Sequence, residues 1–361
     1  MSKLKTPLCE LLNIEYPILQ AGMGGVAFGP LAAAVSQAGG LGTIAAISPT
    51  PERVEQEILL ARSLTDKPIC VDIGFPLRAP KDKADVKLPD LPGPLQQLHQ
   101  EIEALGIEIK PADDQAMSLE DAKAKLEICF KHGVEVIACA LGTPKWVVDA
   151  CHERGVKTIS IVGRASHAAS AIRAGTDVVV VQGTEGGGHT GDIGLITLLQ
   201  EVLEFSTVPV VAAGGIVNGA QIAGVLTQGA QGVWVGTRFI GSEESSVGPN
   251  YKQSIVEAEN DSTIRSLLFD GLYVRQLQNR FTEVWEGHEN ELQPYPIQRI
   301  VIAPSRFAAA AADLKDHQAL PAGQGSGMIR DTPPAAVVLQ RLVDETVATL
   351  KQSRGRIDFD A

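Results

Sequence analysis

Eight short apolar runs, most of them followed by a helical stretch, set the limits on what this chain can fold into. The runs are Ile18–Ala21, Gly42–Ile47, Ile69–Ile73, Val134–Ala140, Thr158–Val162, Asp177–Gln182, Val208–Ala213 and Gly232–Gly236. They are rich in β-branched residues and mostly continuous in apolar character, which reads as strands covered on both faces. Between them the spacing predicts helices over Leu31–Ala38, Pro51–Leu64, Leu119–His132, Pro144–Glu153, Ala165–Ala174, Leu195–Phe205 and Gly219–Gln228. Pro51 and Pro144 suit a first helical turn, and Ser118 and Asn218 suit an N-cap. Glycine closes most of these helices, as in His132-Gly133 and Ala174-Gly175,. Such alternation implies parallel pairing through right-handed crossovers. Eight strands in succession favour an α/β fold closed into a (βα)8 TIM barrel, with an open doubly wound sheet as the alternative.

Two regions break the rhythm. Residues 76–115 follow the third strand, are rich in Pro, Lys, Asp and Glu, and read as an inserted loop or lid with a short helix at Leu95–Leu105,. Residues 257–330 are irregular and read as a small helical subdomain beside the barrel mouth. The expected organisation is a barrel over 1–256, that subdomain, and a C-terminal stretch 331–361 whose helix Pro334–Lys351 returns to the barrel wall.

Charge and cysteine content exclude several function classes. A net charge of −12 disfavours nucleic acid and anionic membrane surfaces as partners,. No apolar run approaches the roughly 18–20 residues that span a bilayer, and no apolar signal core follows the first lysines. The five cysteines are odd in number, scattered and without a CxxC, which fits reduced thiols in a cytoplasmic protein rather than disulfides or zinc,.

In a barrel of this kind the site lies at the C-terminal strand ends. The sixth run leads into Gln182-Gly183-Thr184-Glu185-Gly186-Gly187-Gly188-His189-Thr190-Gly191, with five glycines in the nine positions from Gly183 onward and one histidine. Glycines there let backbone approach something flat or anionic, and histidine is suited to proton transfer near neutral pH. Gly214-Gly215 and Gly236-Thr237, after the seventh and eighth runs, stand where barrels build phosphate sites,. Glycines needed only for turn geometry are the simpler alternative. Gly22-Met23-Gly24 is followed by Ala27 where the third glycine of GxGxxG should stand, and no GxxxxGK[ST] is present,. A glycine-lined mouth with the Gln182 amide and the Met23 thioether is compatible with a flat heteroaromatic ring. FMN has such a ring and a terminal phosphate. Of the other histidines, His132 and His152 fall near helix C-termini, His167 can approach the mouth, and His99, His288 and His317 read as surface residues,.

The segments Ile18–Gly24, Val181–Gly191, Val211–Ile216 and Val235–Phe239, in this order, resemble those of the nitronate monooxygenases, formerly 2-nitropropane dioxygenases. The resemblance implies a flavoprotein oxidoreductase with FMN at the barrel mouth, acting on a small nitronate and O2. By this likeness Ala21, Gly22, Met23 and Gly24 lie against the flavin ring, and Gln182, Gly187 and Gly188 contact it. Gly214, Gly215, Gly236 and Thr237 hold the phosphate, and His189 is the catalytic residue. Many relatives carry Asn at the end of the third strand where this chain has Asp72, so its cofactor contact is an expectation that departs from the pattern. Flavin-type enoyl reductases and some NADH:quinone reductases share these segments. An NAD(P)H-dependent FMN reductase is therefore the alternative activity, and a non-catalytic flavin-binding protein is a further one. A homodimer is compatible with all of these.

Overall fold

The computed structural model describes residues 4–75, 88–111 and 118–356. Its core is a parallel sheet of β1 (Ile18–Gln20), β2 (Gly42–Ala45), β3 (Ile69–Gly74), β4 (Val136–Ala140), β5 (Lys157–Val162), β6 (Val178–Gln182), β8 (Val210–Ala213) and β9 (Gly232–Val235). Each observed strand end lies within two residues of the sequence expectation. The strands pair in the order β1-β9-β8-β6-β5-β4-β3-β2. The seam between β1 and β2 is closed by a parallel bridge from Leu19 to Leu41 and by the buried Gln20 side chain, whose Oε1 accepts the Thr43 N–H at 2.9 Å. The result is an α/β TIM barrel.

Strand alternation sorts the core into two layers. Leu19, Cys70, Ala138, Val180, Val211 and Trp234 face the barrel axis, and the neighbouring positions Val179, Val181, Ala212 and Val235 face outward onto the helices. Helices α2 (Gly29–Gln37), α3 (Pro51–Leu64), α5 (Leu119–Lys131), α6 (Lys145–His152), α7 (Ala165–Ala174), α8 (Leu195–Leu203) and α9 (Gly219–Gln228) fill the outer ring. Side chains cap the starts of α3, α5 and α9. Ser118 Oγ accepts the Asp121 N–H at 3.0 Å, and Asn218 and Gln221 form a reciprocal capping box,. The final helix α14 (Ala335–Arg356) lays Val338, Leu339, Leu342 and Val343 against α2 and α9. A short helix that the sequence pattern does not announce, α1 (Pro7–Leu12), sets Leu8, Cys9 and Leu12 against the axial layer.

The two irregular regions meet each other. Helix α4 (Gly93–Ala104) buries Leu95, Leu98 and Ile102 against Phe281, Trp285 and Ile302. Those partners lie on or beside α12 (Arg280–Glu283) and α13 (Ile297–Ala311). Glu101 and Arg280 bridge the same seam at 2.6 Å, and that hydrogen bond holds the Glu101 carboxyl down at about 2. Besides helices, this region contributes a hairpin of β10 (Thr263–Ser266) and β11 (Val274–Leu277). Its outer edge pairs with β7 (Gly188–His189), so the glycine-rich segment after β6 is an edge strand rather than an open loop. No helix among the described residues is long and apolar enough to cross a membrane. Of the expected lid over 76–115, residues 76–87 and 112–115 lie outside the described residues.

Candidate active site

Asp72 stands at the C-terminal end of β3, its side chain on the axial face with that of Cys70. It is 2% exposed, and its Oδ1 has no hydrogen-bond partner. Burial without a compensating cation pushes the carboxyl up to about 8, so it is a neutral acid at physiological pH,. The Ala21–Gly24 segment after β1 runs directly over it: any side chain at Gly22 would strike the Asp72 carboxyl. Next to it, a Cβ at Gly236 would sit 3.4 Å from Met23 Sδ and 3.6 Å from Ala21 Cβ. The ends of β1, β3 and β9 thus converge as the sequence predicts.

Across the mouth, Gly214 and Gly215 both adopt left-handed backbone, at φ 109° and 70°, which side chains resist,. Their turn packs on Gly183–Gly186 and on Glu185. Thr237 Oγ accepts the Gly323 N–H at 2.9 Å and keeps its own proton to donate,. The segment Ala322-Gly323-Gln324 therefore belongs to the mouth, with Gln324 N–H donating to the Glu185 carbonyl at 2.9 Å. The sequence reading passed it over, although the glycines of Gly323-Gln324-Gly325-Ser326-Gly327 were its signal. The N-terminus of α8 is not open to an anion, because both Glu185 carboxylate oxygens accept the Leu195 N–H at 3.0–3.1 Å.

The segment after β6 is tied down at three points. Gln182 Nε2 donates to the His189 carbonyl at 2.7 Å, which commits its amide nitrogen inside the segment and leaves its oxygen for a ligand. Gly188 and His189 pair with Arg275 and Val274 of β11. Gly187 packs so closely on the neighbouring backbone that an added Cβ would meet Ala322 C and Gly323 N at 2.7 Å. Gly187→Ala must push two backbones apart, and we expect a loss of ~1–3 kcal/mol, read as a lower denaturation midpoint in urea. Gly188→Ala meets nothing within 4 Å and carries only the strain of its φ of 72°, about 1 kcal/mol, making it the matched control,.

His189 itself is partly exposed, and its Nε2 lies 2.6 Å from Oδ2 of Asp270, a residue 1% exposed. The carboxyl of Asp270 is desolvated, yet it lies below its ordinary range. The His189 hydrogen bond and charge, the Leu272 N–H (2.9 Å to Oδ1) and the nearby Arg299 charge together outweigh burial. Its loop is fixed by Gly271, whose left-handed backbone (φ 90°) packs on Pro294–Tyr295, and by Gln298 Nε2 donating to the Leu268 carbonyl at 3.0 Å. The sequence reading missed Asp270 because it lies 81 positions from His189.

The remaining histidines fall elsewhere. His132 bonds Glu55 and His152 bonds Asp177, both at helix ends as expected. His167 is exposed on the first turn of α7. His99 and His317 are corrections: each is partly buried in the seam of α4 with the second region, bonded to Ser305 Oγ (2.8 Å) and Glu101 (3.2 Å). Burial raises the thiols of Cys70, Cys129, Cys139 and Cys151. No cluster that could hold a metal occurs among the described residues.

Comparison with known proteins agrees with this geometry. Over residues 5–345 the chain matches the family model described as nitronate monooxygenase. It is 32% identical over 330 residues to a probable nitronate monooxygenase of Staphylococcus saprophyticus subsp. saprophyticus, covering 85% of this chain and 88% of that one. Among solved structures it resembles the nitroalkane oxidase of Streptomyces ansochromogenes (32% identity, 96% and 99% of the two chains, TM-score 0.82). It also resembles FabK of Thermotoga maritima (30% identity, 98% and 100%, TM-score 0.80). The chain therefore belongs to the nitronate monooxygenase family and is a flavin-dependent oxidoreductase.

Proposed function

We propose that this protein binds FMN across the C-terminal mouth of its barrel and oxidises alkyl nitronates with O2 to a carbonyl compound and nitrite. The observation that carries this reading is a histidine fixed by a buried carboxylate on an edge strand at a glycine-lined mouth. The residues fit a flat ring bearing a phosphate. Gly22 lets the backbone close directly onto the Asp72 carboxyl, whose Oδ1 is buried and has no partner in the protein. Ala21, Gly22, Met23, Gly24 and Asp72 would hold the ring, together with Gln182, Gly187 and Gly188. Gly214, Gly215, Gly236 and Thr237 are the phosphate donors.

When bound, FMN supplies the electron acceptance and the reactivity toward O2. The chain supplies position and charge. His189, as neutral imidazole, takes a proton from the carbon next to a nitro group. As imidazolium it pairs with the nitronate anion. The neutral Asp72 would place no negative charge beside the ring.

The test is anaerobic mixing of the purified yellow protein with an alkyl nitronate or with NADH, followed by air. The reading expects bleaching by the nitronate alone and nitrite on reoxidation. Likeness to FabK at 30% identity supports a second reading, an NAD(P)H-dependent reductase of enoyl thioesters or quinones. Bleaching by NADH and not by nitronate would move the assignment there. A yellow protein that turns over none of these is a flavin binder, and a colourless one that takes up no FMN undoes both enzymatic readings.

A further inference from the structure

We infer that Asp270 is the positioning residue for His189, fixing the imidazole with its proton on Nε2 and presenting Nδ1 as the atom that exchanges a proton with substrate. This rests on the reading of His189 as the acid–base group. The Asp270 carboxylate, acceptor-only when ionised, can accept a hydrogen bond only from a protonated Nε2. The contact is short, 2.6 Å, as expected where the acceptor carries a charge,. Nδ1 carries no hydrogen bond to a described residue, and the ring is partly exposed. Nδ1 is therefore the lone-pair nitrogen of the neutral ring. The arrangement follows the general rule that the partner of one ring nitrogen decides the role of the other.

The carboxylate is built for this task. It is held by the Leu272 N–H, its loop is clamped on the start of α13, and Arg299 keeps a positive charge nearby. Other charged groups around β7 are already paired. Arg265 donates to Thr190 Oγ at 3.0 Å, pairs with Asp192 and stacks on Tyr273. Arg275 donates to the Thr184 carbonyl at 2.9 Å. The hairpin of the second region thus delivers the backbone edge that holds β7 and the carboxylate that orients its side chain. The barrel without that region carries His189 but not its orientation.

The experiment is 15N–1H NMR of the holoprotein labelled at histidine, with the His189 resonances identified by their loss in His189→Asn. Wild type is expected to show, in the neutral ring, a protonated Nε2 and an unprotonated Nδ1. Asp270→Asn, whose amide can donate as well as accept, is expected to lose that single tautomer. Its kcat should drop by about 10²-fold with KM and the bound-flavin spectrum little changed. A wild-type ring protonated on Nδ1, or averaging between tautomers, overturns the inference without any variant. So does an Asp270→Asn protein with wild-type kcat. The wild-type spectrum requires no turnover, so it decides the tautomer even if the substrate is not a nitronate.

Discussion

Replacing His189 with Asn is expected to lower turnover of a neutral nitroalkane, which must first give up a proton, by ~10²–10⁴-fold, or ~3–5 kcal/mol of transition-state stabilisation. The protein should stay folded and yellow. The reason is that the backbone, not the imidazole, holds this segment. β7 pairs with Val274 and Arg275 through main-chain groups, and Gln182 donates to the carbonyl of residue 189 whatever its side chain. Asn ends where Nδ1 of the imidazole lies and does not reach Asp270, but that carboxylate keeps the Leu272 N–H and the nearby Arg299 charge. What is lost is a group able to take a proton near neutral pH. Steady-state nitrite release and the visible spectrum, measured together, separate the two effects. Unchanged turnover with intact flavin would sink the catalytic role of His189.

How much of this was legible in the chain depends on the range of the interaction. The barrel was legible because each strand and helix carries its own local signal: β-branched runs such as Val178–Val181, caps such as Asn218, and left-handed closures such as Gly175 and Gly229. Strand ends then place Asp72, Gln182, Gly214 and Gly236 by counting alone. Helix α1 escaped because six residues give too little period to read. Strands β10 and β11 escaped for another reason. Thr263–Ser266 and Val274–Leu277 each carry an arginine and are short, so nothing local separates them from loop. The second partner of β11 is a two-residue strand more than 80 positions upstream, and a pairing of that separation leaves no mark on either segment. The short helix expected at Leu95–Leu105 is present, but nothing local names the second region that buries its Leu95, Leu98 and Ile102. The state of Asp72 was hidden likewise, since burial is made by the loop from β1 folding over it.

That burial makes Asp72→Asn the substitution with the largest expected dependence on pH. The folded-state value, about 8, lies above the ordinary 3.8. Between these two values the folded chain therefore holds one proton that the unfolded chain has released. Unfolding free energy is full below about pH 4, falls as pH rises, and levels off beyond pH ~8, with an accumulated loss of ~6 kcal/mol. Asn has nearly the same shape and no proton to lose, so its stability lacks this slope. The gap between variant and wild type is expected to widen by ~4 kcal/mol in favour of Asn from pH 5 to pH 9, in urea unfolding of protein stripped of cofactor. The same proton bears on the ligand. Below pH ~8 the neutral carboxyl is a donor at the edge of the proposed flavin bed, and above it a bare negative charge replaces that donor. Wild-type affinity for FMN should therefore fall as pH is raised past that value, while Asp72→Asn, which keeps an N–H donor and no charge, holds its affinity across the range. Parallel pH dependence of wild type and variant in the unfolding series would mean that Asp72 is ionised in the folded protein, and that its carboxyl finds solvent or a cation at the barrel mouth.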